Sequence, residues 1–236
     1  MTAQLPLRIG DLERRGLRDR VYDLILEMLL EGDVEPGSRL SIDTLAKQLD
    51  VSPTPVREAM VQLERTGLVT REALKGYRVA PPLGPDQLSE LFDARVLLEV
   101  GATTLATPHA DRLLPALRDA HAHHEASAAV VIEAMRSGEG TVRATQDYFA
   151  ADAAFHRVIL EAASNRYLVS MHDDLGALTH RMRQAVIRGV NDVEEAHAEH
   201  AAILAAFESD APEAPSQAMR AHIDGVRARS LRESLS

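Results

Sequence analysis

The chain has 236 residues, 45% hydrophobic and 26% charged, which excludes a disordered polypeptide and leaves room for two compact domains. Aromatics are 3%, Trp and Cys are absent, and the core must therefore come from Leu, Val, Ile and Ala, a mix that favours helices and excludes disulfides, thiolate metal sites and a cysteine nucleophile. The net charge of -10 is unevenly spread: residues 1–82 carry 12 basic against 13 acidic side chains, and the remainder 14 against 23, so the first third can approach phosphates.

Leu17, Val21, Leu24, Ile25, Met28 and Leu29 have the spacing of an amphipathic helix, which Glu35-Pro36-Gly37-Ser38 ends. Ser41 caps a short second helix with Leu45, Ala46 and Leu49 on its inner face. Asp50 to Ser52 makes a tight corner, and Ser52-Pro53 opens a third helix that runs to Gly67. Leu68–Arg71 and Tyr77–Ala80 are predicted strands. Three helices and a hairpin form a winged helix-turn-helix, placed at residues 10–80. Pro81-Pro82-Leu83-Gly84-Pro85 is a stiff linker. Residues 86–232 form an all-α bundle, with helices near 86–106, 111–136, 141–163, 166–188, 192–208 and 213–232. No apolar run approaches a membrane span, and the expected setting is the cytoplasm with no membrane partner.

The corner residues carry the first chemistry. Ser52 and Thr54 can bond phosphates or base edges, Arg57 can reach guanine or phosphate, and Lys75-Gly76 stands at the wing tip. Spacing alone equally allows a capped surface helix. Pro36-Gly37-Ser38-Arg39-Leu40, Leu45-Ala46-Lys47-Gln48-Leu49, Val51 to Ala59 and Leu63-Glu64-Arg65-Thr66-Gly67-Leu68-Val69 together resemble the winged-helix domain of the GntR family of prokaryotic transcription regulators. The resemblance implies that Arg39, Ser52, Thr54, Arg57, Lys75 and Gly76 meet double-stranded DNA. Pro53 stands where many members carry Arg, so the operator sequence does not transfer.

In the bundle, Asp152 and His156 lie four residues apart on one helix face, and His200 and His222 sit beside apolar residues on two later helices. Three His and an Asp directed inward would suit Zn²⁺, Ni²⁺ or Mn²⁺, with positions left open. With 10 His in the chain, chance spacing competes with that reading; His109, His121, His123, His124, His172 and His180 read as surface or satisfied core residues, and His197, one turn from His200, as the rival ligand. The order Asp-x-x-Phe-His, then Asn165, then Glu-His, then His resembles the FCD-type effector domain of the FadR subgroup. That resemblance implies a metal, most simply Zn²⁺, held by Asp152, His156, His200 and His222, with a small carboxylate completing its shell. It also implies effector contacts from Arg95 and Asn165; the alternative for Arg95 is a surface salt bridge to Glu99.

The expected protein is not an enzyme but a homodimeric repressor, or less often an activator, on a palindromic operator, controlled by a small organic acid at a metal site. An acyl-CoA-responsive regulator without metal, a metallohydrolase and a purely architectural DNA-binding protein are the competing readings.

Overall fold

The computed structural model describes residues 9–30, 34–65, 67–72, 76–81, 83–138, 141–175 and 189–233, and the chain divides after Pro82 into two units. In the first, α1 (Ile9–Leu30), α2 (Ile42–Gln48) and α3 (Pro53–Arg65) precede β2 (Val69–Glu72) and β3 (Gly76–Val79). The apolar faces read from periodicity meet in one core: Val21, Ile25, Leu26, Leu45, Val56, Met60 and Leu63 are buried there with Leu40, Val69, Tyr77 and Val79. The Ser41 hydroxyl accepts the Thr44 N–H at 3.3 Å, as an N-cap does. Asp50 makes the corner in the left-handed region, at φ 51, a conformation that a short polar side chain tolerates.

A third strand was not predicted. β1 (Arg39–Leu40) pairs antiparallel with β3, which lies between β1 and β2. Two residues show no alternation, and their partner is remote in sequence, so only the closed fold reveals the strand. β2 and β3 also start and end one position away from the predicted limits, within the usual uncertainty of element ends.

In the second unit, α4 (Pro85–Arg95) begins with the predicted linker's last proline at its first position, and the Gly84 N–H is held by Gln87 Oε1 at 3.2 Å. A π-helical turn (Val96–Val100) separates α4 from α5 (Gly101–Ala106), interrupting the single helix expected over 86–106. A 3₁₀ turn (Thr107–His109) leads into α6 (Ala110–Ser137), which ends at left-handed Gly138, φ 77. Then come α7 (Thr141–Ala162), helical residues 166–175 (α8), α9 (Val190–Glu208) and α10 (Ala214–Glu233). The fold is mainly helical, as expected, with a winged helix-turn-helix followed by a helical domain.

Leu88, Leu91, Phe92, Leu117, Phe155, Ile159, Ile203, Phe207 and Ile223 form the larger core of the helical unit. A smaller one joins Ala128, Val131, Tyr148, Phe149 and Val193. The chemistry-bearing histidines bridge the two: the His200 ring stacks on Phe155 at 4.5 Å between centroids, and His124 lies 4.8 Å from Tyr148. Among the described residues, no helix is long and apolar enough to cross a membrane.

Candidate functional site

The helix α3 buries Pro55, Val56, Ala59, Met60 and Leu63, which turns Ser52, Thr54 and Arg57 outward at its start. Arg39 is exposed on β1, and Gly76 opens β3 at φ 90, a conformation that disfavours a side chain. Lys75 lies outside the described residues. Among the described residues, Arg39 and Arg57 have no ion pair. Arg78 is committed: its Nε donates to Glu72 Oε1 at 2.6 Å and its Nη1 to the Gly37 carbonyl at 2.8 Å, so it braces the sheet.

Helices α7, α9 and α10 bring Asp152, His156, His200 and His222 together in the helical domain, all of them buried. Ligand atoms of His156, His200 and His222 lie within 4.8 Å of one another. His200 Nε2 is 3.2 Å from His156 Nε2 and 3.4 Å from Asp152 Oδ1, and the latter is 3.9 Å from His156 Nε2. Two nitrogens bound about 2.1 Å from one ion lie roughly 3.0 Å apart at right angles and roughly 3.4 Å apart in a tetrahedron. The observed approach matches two ligands of a single ion.

The outer nitrogens reinforce this fit. His156 Nδ1 is 2.7 Å from Glu99 Oε2, and the Arg95 Nε holds the same carboxylate at 2.7 Å. His222 Nδ1 is 2.8 Å from Glu199 Oε2, and Arg229 grips Glu199 with Nη1 at 2.7 Å and Nη2 at 2.9 Å. An ionised carboxylate only accepts, so a neutral His222 carries its proton on Nδ1 and offers its Nε2 lone pair to the cluster, while His156 Nδ1 faces the Glu99 carboxylate at close range. Burial alone would raise the Glu99 carboxyl, but Arg95 and His156 hold it well below the usual range. Burial likewise opposes ionisation of Glu199, and Arg229 and His222 outweigh it. For His222, burial lowers the pKa against the opposing pull of Glu199, keeping the imidazole ready for an ion.

His197 stays out of this cluster: it stacks on His121 at 5.2 Å and faces Glu125 at 3.9 Å. Two histidines set aside in the sequence are close to the site instead. His124 Nδ1 lies 3.3 Å from His200 Nδ1, and His172 Nε2 lies 3.9 Å from Glu99 Oε1. His180 lies outside the described residues. Glu199 and Arg229 were also missed; the Glu-His pair at 199–200 was visible, but not that its Glu serves the histidine of the next helix.

Arg95 pairs with Glu99, but the pair is not at the surface: the side chains are 3% and 1% exposed. Among the described residues, neither terminal nitrogen of Arg95 has a hydrogen-bond partner, which leaves the flat edge of the guanidinium open. Asn165 caps α8, its Oδ1 accepting from Tyr167 N at 3.0 Å and Leu168 N at 3.4 Å, and makes no hydrogen bond to the histidine cluster.

Residues 17–79 match the bacterial regulatory proteins of the gntR family, and residues 90–225 match the FCD domain. The HTH-type transcriptional repressor GlaR of Escherichia coli is 26% identical over 206 residues, spanning 86% of this chain and 90% of that protein. A probable D-xylose utilization operon transcriptional repressor of Paenarthrobacter nicotinovorans is 29% identical over 215 residues, spanning 90% and 88%. Among solved structures, E. coli McbR/YncC superposes with a TM-score of 0.64 at 21% identity, covering 92% of this chain and 97% of that one. The chain belongs to the GntR family of bacterial regulatory proteins and is a DNA-binding transcriptional regulator whose second half is an FCD domain.

Proposed function

We propose that this regulator is a homodimeric repressor whose grip on a palindromic operator changes when a small organic acid binds a metal ion in the helical domain. The observation that carries the reading is the meeting of His156 Nε2 and His200 Nε2 at 3.2 Å beside Asp152, with His156 and His222 each backed by a glutamate. Asp152, His156, His200 and His222 would hold the ion, with Zn²⁺ the best match and Ni²⁺ or Mn²⁺ compatible with the same donors. A divalent ion there supplies an open coordination position for a carboxylate oxygen.

Arg95 is the partner for the acid's second oxygen. Its Nε is fixed by Glu99, and its unengaged terminal edge has the planar donor geometry that carboxylates fit. An effector so held would be selected over neutral analogues. The FCD resemblance also implies an effector contact from Asn165, which caps α8. Catalysis is not part of this reading. Glu99 and Glu199 are each bound by an arginine and a histidine, so neither is available to take a proton from an attacking water.

On DNA, Arg39, Ser52, Thr54, Arg57, Lys75 and Gly76 form the reading surface. A single α3 start spans few base pairs, and a two-fold dimer doubles the site into two half-sites. The test is elemental analysis of natively purified protein, followed by calorimetric titration with acetate, lactate, succinate and citrate. One ion per chain is expected in the wild type and none in His156→Ala or His222→Ala, with acid binding lost together with the ion. Acid binding undiminished in the metal-free variants would overturn the reading.

A further inference from the structure

Of the three histidines that meet at the centre, two are backed by carboxylates. The third, His200, meets another histidine on its outer side: its Nδ1 faces the Nδ1 of His124 at 3.3 Å. His124 comes from α6, which contributes no ligand to the proposed ion, and is fully buried. We infer that His124 is a positioning residue, whose Nδ1 accepts the His200 Nδ1 proton and so directs the His200 Nε2 lone pair to the metal. The inference rests on the metal reading above.

Two nitrogens of neutral imidazoles at this distance need one proton between them, and its side decides which His200 nitrogen can bind an ion. A proton on His200 Nδ1 frees Nε2, the atom already 3.2 Å from His156 Nε2 and 3.4 Å from Asp152 Oδ1. A proton on His124 Nδ1 would instead leave the His200 proton on Nε2 and block coordination. His124 Nε2 has no hydrogen-bond partner among the described residues, so no other contact there dictates where the His124 proton sits.

Charge explains why an imidazole stands here. Glu99 and Glu199 each have a dedicated guanidinium, from Arg95 and Arg229. Another carboxylate beside Glu99, Glu199 and the buried Asp152 would add a charge that needs its own cation, whereas a neutral ring supplies the acceptor without adding charge. His124 also packs edge-on against His200, with centroids 4.4 Å apart, which fixes the ring orientation as well as the tautomer.

The experiment compares Zn²⁺ and Co²⁺ affinity of the full-length wild type, His124→Leu and His124→Asn, with melting curves in chelator as the folding control. The Asn side-chain oxygen falls near the position of the lost Nδ1 and restores the acceptor; Leu does not. Expected is a 10- to 100-fold loss for Leu, typical of an outer partner, a largely restored affinity for Asn, and one ion per chain throughout. In the Zn²⁺-loaded wild type, long-range ¹H–¹⁵N spectra should show His200 protonated at Nδ1 and His124 at Nε2, a readout that needs no variant to fold. Equal affinity for Leu and wild type, or a proton on His124 Nδ1, would overturn the inference. Two ions in the wild type falling to one in His124→Leu would also overturn it, by making His124 a ligand. A wild type that takes up no ion defeats the metal reading itself.

Discussion

At the scale of single residues, the site depends on what is absent as much as on what is present. Gly225 lies inside α10, where glycine costs roughly 1 kcal/mol relative to alanine. A Cβ at that position would collide with Glu199 Oε1 and lie 3.4 Å from Arg229 Nη1. Helix propensity therefore predicts that Gly225→Ala stabilises the metal-free protein, while the geometry predicts that it pushes Glu199 away from His222. We expect weaker metal binding with little loss of melting temperature in chelator, by Zn²⁺ competition titration and calorimetry; unchanged metal affinity would show that Glu199 does not orient His222. Arg95 tests a different balance. Arg95→Ala leaves Glu99 buried without its cation and should destabilise the domain by roughly 3 kcal/mol or more in denaturant melts. Arg95→Lys keeps a charge beside Glu99 but loses the planar fork, so it should hold the ion and lose acid binding in calorimetry. In the DNA-reading unit, Arg57→Ala should weaken operator binding by about 1–3 kcal/mol if Arg57 reads a base edge. Contact with phosphate alone would instead lower the salt slope by about one unit on any sequence.

At the scale of elements, the four proposed ligands were legible because helix periodicity places Asp152 above His156 and sets His200 and His222 among apolar neighbours, and a family resemblance joined them. The outer partners were not legible, since they depend on how helices pack. Glu199 precedes His200 by one residue and so points about 100° away around α9, towards His222 on α10 rather than towards the proposed ion. The same limit hid the π turn after Arg95 and the two-residue strand at Arg39. The buried groups also predict how the helical domain responds to acid. His124 is pushed down to about 4, chiefly by burial, and His222 is lowered for the same reason. Below their ordinary value of 6.5 the unfolded chain therefore binds protons that the folded one refuses, and stability falls with pH. Glu99 and Glu199 are lowered as well, so their contribution is present above the usual carboxylate range and disappears below it. Both steps have one sign. Melting temperature in chelator should be highest near neutrality, fall first between pH 6.5 and 4, then again in the carboxylate range; a flat profile over pH 4–8 would contradict the buried, neutral histidines.

At the scale of the whole molecule, the two halves have opposite demands. The first third is close to electrically neutral and exposes Arg39 and Arg57, while the helical domain is acidic and buries its charges in pairs. In the proposed dimer, a ligand would change DNA affinity only by favouring one arrangement over another, so binding of acid and of operator would be coupled in both directions. The most direct test is fluorescence anisotropy of an operator duplex, selected from random DNA, titrated with metal-loaded and chelator-stripped protein with and without the best-binding carboxylate. The acid should shift operator affinity of the loaded protein and leave the stripped protein and His156→Ala unchanged. An equal shift in all three would contradict it.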